Sequence, residues 1–253
     1  MEKYREHKPR ARVYLDLETY RPKDEGSFTD EDIILIGLIV EPVDNLANQK
    51  EEYKPFKNFE KEHEKRLQKE KEILKEFYGY LKELQKRYYV EIIGFYNLRY
   101  DIPLIISKTL KHNIVKDVFD IELKKEGGKA GRSVHDAEFI NKWWHEIYTI
   151  DLAQLLLPFN NFVFKGLKLE AAVGLSNKVF KCEIETKTPG LSGKDIVKLF
   201  ESGLLNENFN EIVKKIEEKN KADLKFIKNI YLCLKKKYKF IVKQLTEKPT
   251  EKN

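Results

Sequence analysis

Four acidic residues, Asp16, Glu18, Asp101 and Asp223, carry the chemistry that can be read in this sequence. Asp16 and Glu18 stand two apart in ARVYLDLET, where Val13, Leu15 and Leu17 alternate with Tyr14, Asp16 and Glu18. Such alternation predicts a β-strand, and side chains two apart on a strand share a face. Two carboxylates held together in a partly dry place repel until one takes up a proton or a cation joins them. With no His or Cys beside them, an all-oxygen set suits Mg²⁺ or Mn²⁺. The same short pattern also fits a strand whose polar face meets water.

Asp101 lies just beyond a second apolar run, VEIIGFYN at 90–97, and active-site side chains of open α/β sheets project from strand ends. Asn97 could donate an amide to a substrate or orient a carboxylate. Asp101 also fits the N-cap of the helix predicted for DIPLIISKTLKHN, with Pro103 in the first turn. The two roles are compatible, because a helix N-terminus favours an anion. Asp223 belongs to NKADLKFIKNIYLCL, whose apolar face of Ala222, Phe226, Ile227, Ile230 and Tyr231 favours an inward-pointing carboxylate.

The elements that must position these acids are legible in outline. After the strand at 11–19 comes IILIGLIVE at 33–41, a nearly continuous apolar strand expected in a sheet covered on both faces. A third strand is expected over Glu51–Phe56. From Phe59 to Tyr88, Leu74, Phe77, Leu81 and Leu84 recur at helical spacing. IYTIDLAQLLL at 147–157 reads as strand then helix, with Asp151 at the N-cap or supporting the acidic site. Helical pieces are expected at 166–174, 193–203, 207–219 and 220–242, while 113–146 is hard to read apart from a basic turn, GGKAGR. The order β, β, β, α, β, α, β and then helices predicts one α/β domain over 1–253, a mixed sheet with helices on both faces.

Composition narrows the setting. The 253 residues are 41% hydrophobic, enough for a large core, and 48 Lys and Arg against 42 Asp and Glu give +6. That charge fits a polyanionic partner and equally a densely solvated surface. Cys182 and Cys233 are far apart, with no ligand spacing around them, so neither a zinc site nor a disulfide framework is expected. No apolar run is long enough to span a bilayer, and MEKYREHKPRAR lacks the apolar core of a secretion signal. A soluble, cytoplasmic protein is expected. Gly193-Lys194-Asp195 lacks the glycine spacing and the Ser or Thr of a phosphate-binding loop.

Taken in order, YLDLET, GFYNLRYD-P, the strand ending in Asp151-Leu152, LKLEAAVGL and NKADL resemble the successive motifs of the DEDD exonuclease superfamily. The likeness is to stand-alone predicted 3′-to-5′ exonucleases and to the proofreading domains of family-B DNA polymerases, and covers roughly 11–240. It implies a ribonuclease H-like fold, with Asp16, Glu18, Asp101 and Asp223 as catalytic residues holding two Mg²⁺ or Mn²⁺ ions. It also implies hydrolysis of single-stranded DNA or RNA, or of frayed 3′ ends, to nucleoside 5′-monophosphates. Thr19, Asn97, Tyr100, Asp151 and Asn220 are then expected around the substrate. The family places a Tyr four residues or a His five residues before its last Asp; here these positions are Lys219 and Glu218. That departure leaves a second reading, a weak or inert nucleic-acid-binding module or an accessory subunit with a protein partner.

Candidate strand contacts are Phe159, Phe162, Phe164, Trp143, Trp144, Lys129 and Arg132. Core packing accounts for the aromatic residues equally well, and structural roles for His135 and His145.

Overall fold

A computed structural model describes residues 8–21, 30–43, 51–119, 140, 143, 147–185, 191–205 and 208–246, with side chains of the last helix to residue 238. Five strands form one sheet: β1 (Arg10–Tyr20), β2 (Asp32–Pro42), β3 (Glu52–Lys57), β4 (Tyr89–Gly94) and β5 (Tyr148–Asp151). Their spatial order is β3-β2-β1-β4-β5. β1 pairs antiparallel with β2, and β2 with β3, whereas β4 is parallel to β1 and β5 to β4. The sheet is therefore mixed, as the sequence predicts.

The helices are α1 (His63–Arg87), α2 (Asp101–Lys111), α3 (Val115–Phe119), α4 (Leu152–Leu156), α5 (Leu169–Phe180), α6 (Gly193–Leu204) and α7 (Phe209–Thr246). Alternation along β1 divides its side chains between two cores. Val13, Leu15 and Leu17 join Ile73, Leu74, Phe77 and Leu81 of α1 and Ile102, Leu104 and Ile105 of α2. Tyr14 points the other way, into a core with Leu152 and Leu156 of α4, Ala172 and Val173 of α5, and Leu224, Ile227 and Ile230 of α7. Asp16 and Glu18 follow the parity of Tyr14 and so face α7.

Two expectations need correction. The pieces predicted at 207–219 and 220–242 are one helix of 38 residues, because nothing between Phe209 and Thr246 is Gly or Pro. The helix predicted at 166–174 instead starts at Leu169 and runs through Gly174 to Phe180, after Gly166 has turned the chain at φ 82°. The cysteines also differ from expectation, for Cys182 and Cys233 form a disulfide, with Cα atoms 5.9 Å apart across a sequence separation of 51. Cys182 follows α5 and Cys233 lies on α7, and the packing of those helices closes a distance that sequence spacing hides. Paired in this way, the two cysteines lend no support to a reducing compartment. No helix among the described residues is long and apolar enough to cross a membrane.

A buried charge network anchors the other face. Arg66 of α1 donates to Asp32 at 2.7 Å, while Glu70 accepts the Ile33 amide at 2.6 Å and lies 3.4 Å from Lys108 of α2. Asp32, Arg66, Glu70 and Lys108 are each almost fully buried. Removing one partner from such a set leaves an uncompensated charge, which is costly enough to fix α1 and α2 on the sheet.

Candidate acidic site and its cleft

β1, α2 and α7 bring the acids together. Asp16, Glu18 and Asp223 each offer an oxygen within 4.8 Å of the others. Asp223 reaches them from α7, whose apolar face of Leu224, Ile227 and Ile230 is buried against the sheet. Asp101 stands outside that trio, yet close enough that Glu18 and Asp101 influence one another. It is the first residue of α2 rather than its cap, a position filled by Tyr100, and its carboxylate accepts the Leu17 amide of β1.

Close backbone approach makes room for the site. Asn220, fully buried on α7, donates to the Asp16 carboxylate at 2.9 Å and to the Asp16 carbonyl at 3.2 Å. Its amide lies against Gly37, which pairs with Asp16 across β1 and β2. A Cβ at position 37 would fall 1.7 Å from Asn220 Oδ1, so only glycine admits the helix here. Beyond Glu18 the β1–β2 register slips at Thr19, a bulge of the kind that re-aims side chains beside active sites.

Lys219 is the feature that sequence reasoning did not place. Its ammonium donates to Glu18 Oε1 at 2.8 Å and Oε2 at 2.9 Å, and pairs with Asp223 Oδ2 at 3.2 Å. An ammonium has three N–H donors, and these three contacts match that number. Burial works to lower the Lys219 pKa, but Glu18, Asp16 and Asp223 outweigh it and hold the group charged. Burial, followed by the charge of Glu18, pushes Asp16 well above the usual carboxylate range, with Lys219 opposing. Burial also raises Glu18, again against Lys219. For Asp101, burial and then the charges of Asp151 and Glu18 push the pKa up to about 8. The cluster thus already contains one cation and still holds carboxyls that burial and mutual repulsion keep from ionising easily.

Asp151 shapes the approach to Asp101. Its carboxylate caps α4 through the Ala153 amide at 2.9 Å and also accepts the amides of Tyr96 at 3.0 Å and Leu98 at 3.2 Å. Tyr96 is held at φ 62°, a conformation that persists for a bulky residue only when its surroundings over-determine it. Asn97 is fully buried and donates to the Ile150 carbonyl at 3.3 Å, and its Oδ1 has no hydrogen-bond partner among the described residues. Thr19 and Tyr100 meet at 2.9 Å, and both donate to Glu31, which sequence reasoning missed.

Asp16 and Asp101 open onto a cleft of about 570 Å³, whose walls include Phe95, Tyr96, Phe164, Arg99 and Lys165. Tyr96 donates to the Phe164 carbonyl at 2.7 Å, and the Arg99 guanidinium lies 4.1 Å from the Phe164 ring centroid. Of the aromatic candidates, Phe164 therefore lines the cleft, while Trp143 belongs to the α1 core. Phe162 is exposed, and Phe159, also exposed, packs on Phe180 at 4.7 Å. Trp144, His135, His145, Lys129 and Arg132 lie outside the described residues.

No protein-family model and no curated protein matches the chain. Among solved structures it is similar to the family B DNA polymerase from the hyperthermophilic archaeon Pyrobaculum calidifontis, at 12% sequence identity and a TM-score of 0.50. The match covers 88% of this chain and 24% of the polymerase chain, so this chain spans about a quarter of that protein's length. A likeness at this identity shows the fold alone: α/β and ribonuclease H-like, a mixed central sheet with helices on both faces.

Proposed function

We propose that the chain is a divalent-metal-dependent 3′-to-5′ exonuclease acting on single-stranded nucleic acid and releasing nucleoside 5′-monophosphates. The observation that carries this reading is the convergence of Asp16, Glu18 and Asp223 within 4.8 Å, at the foot of a cleft onto which Asp16 and Asp101 open. Carboxylates of this kind are a hard-oxygen donor set of the class that Mg²⁺ and Mn²⁺ take. A bound ion would supply Lewis-acid stabilisation to a phosphodiester under attack.

The chain's own residues account for the rest. Phe95, Tyr96 and Phe164 offer aromatic faces to unpaired bases, and Arg99 and Lys165 offer charge to phosphates beside them. Stacking of that kind requires bases freed from a duplex, which favours a single strand or a frayed end. Asn220 fixes the Asp16 carboxylate, and Asp151 fixes the turn that leads into Asp101.

Lys219 favours a second reading, that of a binding module with little or no turnover. As an ammonium it has no lone pair with which to accept a proton, and loss of a general base costs ~10²–10⁴ in rate. Incubation of the protein with a labelled oligonucleotide, with and without Mn²⁺, separates the two readings. Metal-dependent shortening abolished by Asp16→Ala supports the exonuclease. Salt-sensitive retention of an intact strand supports the binding module.

A further inference from the structure

The acidic cluster is not uniform. Glu18 and Asp223 share the Lys219 ammonium at 2.8 to 3.2 Å, whereas Asp16 and Asp101 line the cleft. We propose that the site takes a single divalent cation on the Asp16 and Asp101 side, with Lys219 as a built-in monovalent cation in place of a second ion. The proposal rests on the reading of the cluster as a metal site, and it departs from the two-ion set that the sequence resemblance implies.

Electrostatics and space both support the division. A divalent ion between Glu18 and Asp223 would have to displace an ammonium whose three contacts match its donors, and two cations cannot share those oxygens at contact distance without strong repulsion. Lys219 is also tethered, so it competes without loss of translational freedom, as a free ion cannot. The ammonium is delivered by the same helix turn that carries Asn220 and Asp223. On the cleft side the position differs. Asp16 spends one carboxylate oxygen on Asn220, and the Lys219 ammonium, in direct ion pairs with Glu18 and Asp223, reaches Asp16 and Asp101 through its field.

Calorimetric titration of Mn²⁺ into the wild-type chain, Lys219→Met and Lys219→Arg reads the stoichiometry directly. The expected result is one ion for the wild type and for Lys219→Arg, and two for Lys219→Met. Two ions on the wild type, or one on a folded Lys219→Met, would overturn the proposal while leaving the metal-site reading intact. No ion on any of the three would overturn both. If Lys219→Met does not fold, anomalous scattering from Mn²⁺-soaked wild-type crystals replaces it. One peak beside Asp16 and Asp101, with Lys219 still bound to Glu18, is the predicted result. A peak between Glu18 and Asp223 is the contrary one.

Discussion

At the scale of single residues, the site depends on side chains that hold other side chains. Asn220 touches Asp16 through both the carboxylate and the carbonyl, and its Oδ1 lies 3.4 Å from the Tyr53 hydroxyl that donates to it. Outer partners of this kind typically tune metal affinity or activity by ~10–100-fold. Asn220→Ala is therefore predicted to weaken Mn²⁺ binding by roughly that factor, measured by titration, while far-ultraviolet circular dichroism keeps its helical signal. Asp16 and Glu18 were legible because period-two alternation puts them on one face with no further information. The ammonium of Lys219 was not, because its contact with Glu18 spans 201 residues of sequence. In the sequence Lys219 reads only as an absent Tyr; in the structure it is the counter-charge of the cluster.

At the scale of elements, α7 is the part on which the site depends, and three features dock it. The first is Gly37. A methyl group there meets Asn220 Oδ1 at 1.7 Å, and overpacking of a close contact costs ~1–3 kcal/mol. Gly37→Ala should lower the denaturation midpoint accordingly and weaken metal binding in parallel, because the helix must back away from Asp16. The second is the disulfide. Closing a loop of this length restricts the unfolded chain by an amount on the order of 4 kcal/mol. Reduction, or Cys182→Ser, should lower the melting temperature, with no shift counting against the staple.

The third feature is Glu41. It pairs with Lys228 of α7 at 3.0 Å and accepts from Arg12 and Tyr14, each at 3.0 Å. Burial alone would raise its pKa, but the bonds from Lys228, Tyr14 and Arg12 outweigh it and hold the carboxyl below its ordinary value of 4.5. The folded state therefore binds its proton less readily than the unfolded chain does. Its contribution is complete above pH 4.5 and is lost as pH falls through the lowered folded value. Urea unfolding over that range should show less loss of stability in Glu41→Gln than in the wild type.

At the scale of the whole molecule, the sheet was readable and its covering was less so. β1 and β2 announced themselves through alternation and a continuous apolar run, and α1 through helical spacing, since these signals are local. The disulfide, the Glu31 contacts with Thr19 and Tyr100, and the cleft walls at Arg99 and Lys165 depend on which elements meet. No local pattern encodes that. The parallel pairing of β4 with β1 puts the end of β4, and with it Asp101, beside Asp16, whereas the antiparallel β2 supplies the glycine that admits α7. Mixed pairing thus lets one end of the sheet receive acids from three separate segments.

The proposed exonuclease activity belongs to this end of the molecule. A 5′-labelled single strand incubated with the wild type or Asp16→Ala, with Mn²⁺ or with chelator, tests it most directly. The expected result is a ladder shortening one nucleotide at a time from the 3′ end with wild type and Mn²⁺ alone. An intact strand in every lane, or a ladder that persists with Asp16→Ala, would contradict it.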